Sequence, residues 1–147
     1  MDDLEQKAYI FGAVFALSNK LQVLGDAFDK NITIKQWLFL VGVSKFDEPP
    51  TVSEVANYIG YSRQNAKRIA VALDERGYIT IVKDKSDARA LRISLTQKCI
   101  EYFISRSQIE LVFLDKLFTG FDTDLTHGVY QGLTKLAENI EAMMVND

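Results

Sequence analysis

Residues 51–82 read TVSEVANYIGYSRQNAKRIAVALDERGYITIV, and the polar and glycine residues that punctuate this run decide the fold. Thr51 and Glu54 have the spacing of a capping box, in which the hydroxyl takes an orphan N–H and the carboxylate reaches back to the cap. A short helix to Ile59 is therefore expected. Gly60 and Ser62 bracket a turn, after which Ser62 caps a second helix running to Arg76. Gly77 closes that helix, because glycine enters the left-handed conformation after a C-terminus without steric cost. Two short helices about a glycine-containing turn form a helix-turn-helix.

The period changes downstream. Tyr78, Ile79, Thr80, Ile81 and Val82 are β-branched or aromatic, residues 83–88 are polar, and Leu91, Ile93 and Leu95 alternate with Arg92 and Ser94. That pattern predicts a hairpin with a charged tip. From Thr96 the helical spacing returns through Ile100, Phe103, Ile104 and Leu111, and Gly120 divides this helix from a last one carrying Leu125, Val129, Leu133 and Leu136.

Upstream, Leu4, Phe11, Val14, Phe15, Leu17, Leu21 and Leu24 recur at steps of three and four. They predict a long amphipathic helix over 3–25 with Gly25 as its stop. A further helix is expected over 33–46, capped by Thr33, with Trp37, Leu38, Leu40 and Val41 toward a core; Pro49 and Pro50 follow its end. The fold class predicted is mainly α with a small β-hairpin: a winged helix-turn-helix over 31–97, flanked by an N-terminal helix within 1–30 and C-terminal helices over 98–147.

With 147 residues, 48% of them apolar, the chain can bury a real core and is neither disordered nor fibrous. Its net charge of −3 argues weakly against a nucleic-acid partner, but the distribution reverses this. Residues 61–98 hold nine Lys and Arg against four Asp and Glu, a local +5 that leaves −8 on the remainder. A basic segment in an acidic frame selects one side of the molecule for phosphates. The N-terminal residues are acidic, and Asn19 and Lys20 interrupt the first apolar stretch, so neither export nor membrane insertion is expected. The single Cys99 cannot form an intrachain disulfide, which suits a reducing, cytoplasmic setting.

The helix opened by Ser62 carries residues suited to the major groove. Arg63 offers a bidentate fork to guanine, and Gln64 or Asn65 can pair the N6 and N7 edge of adenine. Lys67 and Arg68, one turn on, suit phosphates. The tip of the hairpin, with Lys83, Lys85 and Arg89, suits the neighbouring minor groove, whose narrowness concentrates negative potential. The plainer alternatives are a solvated helix face and a surface turn in which Asp84 and Asp87 merely neutralise nearby cations.

The run Ile59-Gly60-Tyr61-Ser62-Arg63-Gln64-Asn65, then Leu73-Asp74-Glu75-Arg76-Gly77-Tyr78-Ile79, then Asp84-Lys85-Ser86-Asp87-Ala88-Arg89 and Ile93-Ser94-Leu95-Thr96, resembles the MarR family of winged helix-turn-helix transcription regulators. The resemblance implies base reading by Gln64 and Asn65 with Arg63, phosphate contact by Ser62, Lys67 and Arg68, wing contact by Lys85 and Arg89, and Asp87 as a structural acid. It also implies a homodimer on an inverted-repeat operator, a repressor's role, and a small-molecule effector. Ser86 departs from the family's D-x-R-D-x-R wing, removing one of two minor-groove arginines. Gln97-Lys98-Cys99 also stands where glycine is common.

Independently of the resemblance, the terminal helices are more apolar than a small winged domain needs, which favours self-association. Tyr9, Trp37 and Tyr61 are candidates to line an effector pocket, although such aromatics are more often core. His127 has no Cys or second His at ligand spacing, so no catalytic residue, metal or cofactor is expected and the chain does not read as an enzyme. Cys99, near a helix start, is expected to be an inert, half-buried thiol in preference to a redox sensor. The second function class is a winged module for protein contacts that has lost DNA binding, against which the +5 segment and the Gln64-Asn65 pair argue.

Overall fold

The computed structural model describes residues 1–145. Its elements are α1 (Asp3–Phe28), α2 (Ile34–Ser44), α3 (Val52–Ile59), α4 (Arg63–Glu75), β1 (Ile79–Lys83), β2 (Leu91–Leu95), α5 (Gln97–Leu117) and α6 (Thr123–Val145). The predicted order of four helices, a hairpin and two helices is the observed one. The chain divides into two compact units, 1–103 and 104–147.

The helix starts follow the capping chemistry expected of them. Thr33 and Thr51 each head a complete capping box, with Gln36 and Glu54 as the reaching partners. The Asn65 N–H donates to Ser62 Oγ at 3.2 Å. At the end of α4 the Tyr78 N–H donates to the Leu73 carbonyl at 3.0 Å, and Gly77, with φ 81°, donates to Asp74 at 3.0 Å. This is the Schellman pair, which satisfies orphan carbonyls through a left-handed residue. Tyr78 is therefore part of the helix stop and not the first strand residue, and β1 begins one position later.

Gly25 is not a stop. It lies inside α1, buried, and a Cβ added there would stand 2.6 Å from Ile34 Cδ1, so the glycine serves a close approach of α1 to α2. The helix ends instead at Asp29, whose N–H donates to Gly25 O. The apolar face of α2 is also rotated from the expected one: Phe39, Leu40 and Val43 are buried, while Trp37, Leu38 and Val41 are partly covered. This helix stops at Ser44, before Phe46.

The first unit has one core, built on Ile32, Phe39, Leu40, Val55, Leu73, Ile79 and Ile93. Hairpin register pairs Ile79 with Leu95, Ile81 with Ile93 and Lys83 with Leu91, which turns the alternating apolar residues onto one face. On the other edge of β2, the Ile93 N–H donates to the Pro50 carbonyl at 2.8 Å, and Thr51 bridges Arg92. The hairpin is thereby sewn to the residues that open α3. Cys99 is fully buried in this core, more deeply than expected.

In the second unit α6 has no buried residue, and Leu125, Val129, Leu133 and Leu136 are all exposed. In α1 only Gly25 is buried, with Phe11, Val14 and Phe15 exposed. Among the described residues no helix is long and apolar enough to cross a membrane.

Candidate nucleic-acid interface

Helical geometry divides α4 into two faces. Ala66, Ile69, Ala70 and Leu73 are buried, so Arg63, Gln64, Lys67 and Arg68 stand outward. Asn65 falls on the flank between these faces and is half-buried. Its backbone N–H serves the Ser62 cap, and Ser62 itself is exposed with its hydroxyl proton still available to a further acceptor.

A cleft of about 350 Å³ is lined by Thr51, Val52, Ser53, Arg63, Lys67, Arg89, Ala90 and Leu91. It brings the outward face of α4, the first turn of α3 and the far shoulder of the wing together. Three cationic side chains converge on one opening beside a helix N-terminus, whose backbone N–H groups favour an anion. Gln64, Arg68, Lys83 and Lys85 are exposed but do not line this cleft.

The wing tip is ordered by its own acids. Asp87 Oδ1 accepts from the Arg89 N–H at 3.0 Å and from Arg89 Nε at 3.3 Å, while the Arg89 side chain stays 93% exposed. Asp87 thus holds an arginine that remains open to a ligand. Asp84 accepts from Arg92 Nε at 2.8 Å and from the Asp87 N–H at 3.2 Å. The Arg92 hydrogen bond, joined by its charge and by nearby backbone N–H groups, holds the Asp84 carboxyl below its ordinary value against partial desolvation.

Not every cation of the basic segment faces outward to a ligand. Lys98 Nζ donates to the Arg76 carbonyl at 2.6 Å, at the end of α4, and lies 4.7 Å from the centre of the Tyr78 ring. Arg76 lies over the same ring at 5.3 Å. With Arg92 bound to Asp84 and the exposed Arg89 held by Asp87, four of the nine basic residues have intramolecular partners. Arg63, Lys67, Arg68, Lys83 and Lys85 are exposed.

The candidate effector aromatics occupy three different elements. Tyr9 is exposed on α1, Trp37 is partly buried on α2, and Tyr61 packs against the core from the turn between α3 and α4. Burial pushes the Tyr61 phenol above its ordinary value. They do not line the cleft above, nor a second one formed by Phe121, Asp122, Thr123, Thr126, His127 and Tyr130. His127 is exposed in the first turns of α6. Burial also pushes the Cys99 thiol up to about 11, the reverse of the lowering a helix start alone suggests.

Residues 30–90 match the MarR family. A MarR transcriptional regulator from Methanosarcina mazei superposes with a TM-score of 0.83 at 21% identity, over 92% of this chain and 99% of that one. The structure of Streptococcus pneumoniae FabT in complex with DNA gives 0.65 at 20% identity, over 93% and 99% of the two chains. The PcaV transcriptional regulator from Streptomyces coelicolor, in complex with its natural ligand, gives 0.72 at 16% identity, over 86% and 89%. No protein of curated function matches the sequence. At these identities the structural likeness is one of fold, and with the family match it bears out the MarR resemblance read from residues 59–96.

Proposed function

We propose, from the premise that this chain carries the MarR-family winged helix-turn-helix over 30–90, that it is a non-enzymatic, cytoplasmic, sequence-specific regulator of transcription. It binds an inverted-repeat operator on double-stranded DNA as a homodimer. The observation that carries this reading is the convergence of Arg63, Lys67 and Arg89 on one cleft beside the first turn of α3. A recognition helix in the major groove and a wing in the next minor groove straddle one strand of the duplex. A backbone phosphate between the grooves meets such a cleft, with Gln64 and Asn65 left for base edges and Ser62, Arg68, Lys83 and Lys85 for flanking phosphates.

The dimer is supported by α1 and α6, whose apolar side chains are exposed along nearly their whole length; we assign residues 1–30 and 98–147 to this contact. Two reading heads related by a two-fold axis need half-sites about one helical turn apart. Repression follows where such an operator overlaps a promoter, and release by a small molecule binding near Tyr9, Trp37 and Tyr61 supplies the input; PcaV is a fold relative with its natural ligand bound.

The test is titration of the purified protein against duplex from its own promoter region at two salt concentrations. Affinity falls steeply with salt as counterions return, by about 10³ to 10⁵ between 50 and 200 mM if six to ten phosphates are contacted. No binding to any duplex refutes the reading and leaves the protein-contact module in its place. Light scattering at micromolar concentration checks the dimer.

A further inference from the structure

A wing tip held in place brings Arg89 and Lys85 to DNA at a lower cost in ordering, and the Arg92 side chain reaches from the wing to the residues ahead of α3. Arg92 lies on β2, opposite Val82. Its Nε donates to Asp84 Oδ1 at 2.8 Å, its Nη1 donates to the Pro49 carbonyl at 2.8 Å, and Nη1 stands 3.8 Å from Glu54 Oε1. Asp84 opens the tip, Pro49 belongs to the segment before α3, and Glu54 lies in the first turn of α3.

The contacts continue outward from Asp84. Its N–H donates to the Ala90 carbonyl at 2.9 Å, the Ala90 N–H donates to the Asp87 carbonyl at 3.0 Å, and Asp87 holds Arg89. A continuous set of hydrogen bonds therefore runs from Pro49, ahead of α3, to the exposed arginine of the wing. Arg92 itself is poorly placed to meet phosphates: Asp84 and Glu54 face it and its side chain is 37% exposed, against 93% for Arg89.

We infer that Arg92 is a positioning residue for DNA binding, clamping the wing tip to the opening of α3 and so setting Arg89 beside Arg63 and Lys67 without touching DNA. This rests on the DNA-binding reading above. The planar guanidinium is what the task needs, because its fork presents N–H groups along two edges at once, one to the carboxylate and one to the carbonyl. A lysine ammonium keeps the charge but cannot span both acceptors in fixed geometry.

Two measurements on the full chain test the inference. The first is amide hydrogen exchange without DNA. In Arg92→Gln and Arg92→Lys the amides of Asp84 and Ala90 exchange about tenfold faster, while those of Ile69 and Leu73 in α4 keep their protection. Unchanged exchange at the tip in a folded variant overturns the clamp.

The second is affinity for a duplex selected by the wild-type protein. Arg92→Lys, with charge conserved, weakens binding about tenfold, in proportion to a lost charge-assisted hydrogen bond. Adding Arg89→Ala to it costs less than about twofold more, because the two substitutions disable the same contact. Losses that multiply, or an Arg92→Lys protein that binds like wild type, overturn the positioning role. A wild-type protein that binds no duplex sinks the DNA-binding reading and the clamp's purpose with it, an outcome distinct from binding that is indifferent to Arg92.

Discussion

The Thr96 hydroxyl donates to the Gly77 carbonyl at 2.6 Å and, through the same oxygen, accepts the Cys99 N–H at 3.2 Å. One side chain thus joins the end of the hairpin to the end of α4 and starts α5. Thr96→Ala removes both bonds and lowers stability by about 1–2 kcal/mol. Thr96→Ser keeps the oxygen and most of that stability. Urea denaturation of the two variants checks the difference; equal midpoints refute it.

Cys99 is sealed in the core with its thiol raised to about 11 from 9.0. Folded protein keeps this proton at pH values where the unfolded chain releases it. The thiol's contribution to stability is complete below about pH 9 and is lost as pH rises from there through 11. The native protein consequently resists a thiol reagent at pH 7.5, and reaction appears only with denaturant. Rapid labelling of the native state contradicts the burial.

The Asp84 carboxyl behaves in the opposite sense. Arg92 holds it below its ordinary 3.8, so its contribution is full above that value and is lost as pH falls through the depressed one. The Asp84 carboxyl resonance of the folded protein accordingly has its midpoint below that ordinary value. A titration of the Asp84 carboxyl carbon above its ordinary value contradicts the pairing with Arg92.

Gln64 is exposed on the outward face of α4, whereas Asn65 sits half-buried on its flank. Gln64→Ala therefore relaxes the base preference at one position of each half-site by about 1–3 kcal/mol. Asn65→Ala relaxes it less, and it leaves the helix start intact because the Ser62 cap takes the backbone N–H, which alanine keeps. Binding to a set of single-base operator variants separates them, and equal losses of preference place both amides in the groove.

What the sequence made legible was local. Thr33, Thr51, Ser62, Gly60 and Gly77 announce helix ends because caps and left-handed turns involve residues two to five apart. Gly25 misled because glycine serves backbone freedom and close packing alike, and only Ile34, brought against it by the fold, tells which. Tyr78 reads as strand by residue type, but its N–H is taken by the helix before it. Arg92 and Lys98 entered only the count of the local +5, because their carbonyl partners are remote, Pro49 lying 43 residues from Arg92 and Arg76 lying 22 from Lys98. The candidate contacts on the face of α4 needed only helical periodicity, while their convergence with Arg89 needed tertiary structure.

The central claim is that this winged helix reads DNA as a two-fold pair, and selection of bound sequences from random duplex tests it most directly. The account predicts an enriched inverted repeat whose half-sites lie about one helical turn apart, with preference relaxed in Gln64→Ala. Recovery of no enriched sequence, or of a single half-site without symmetry, contradicts it.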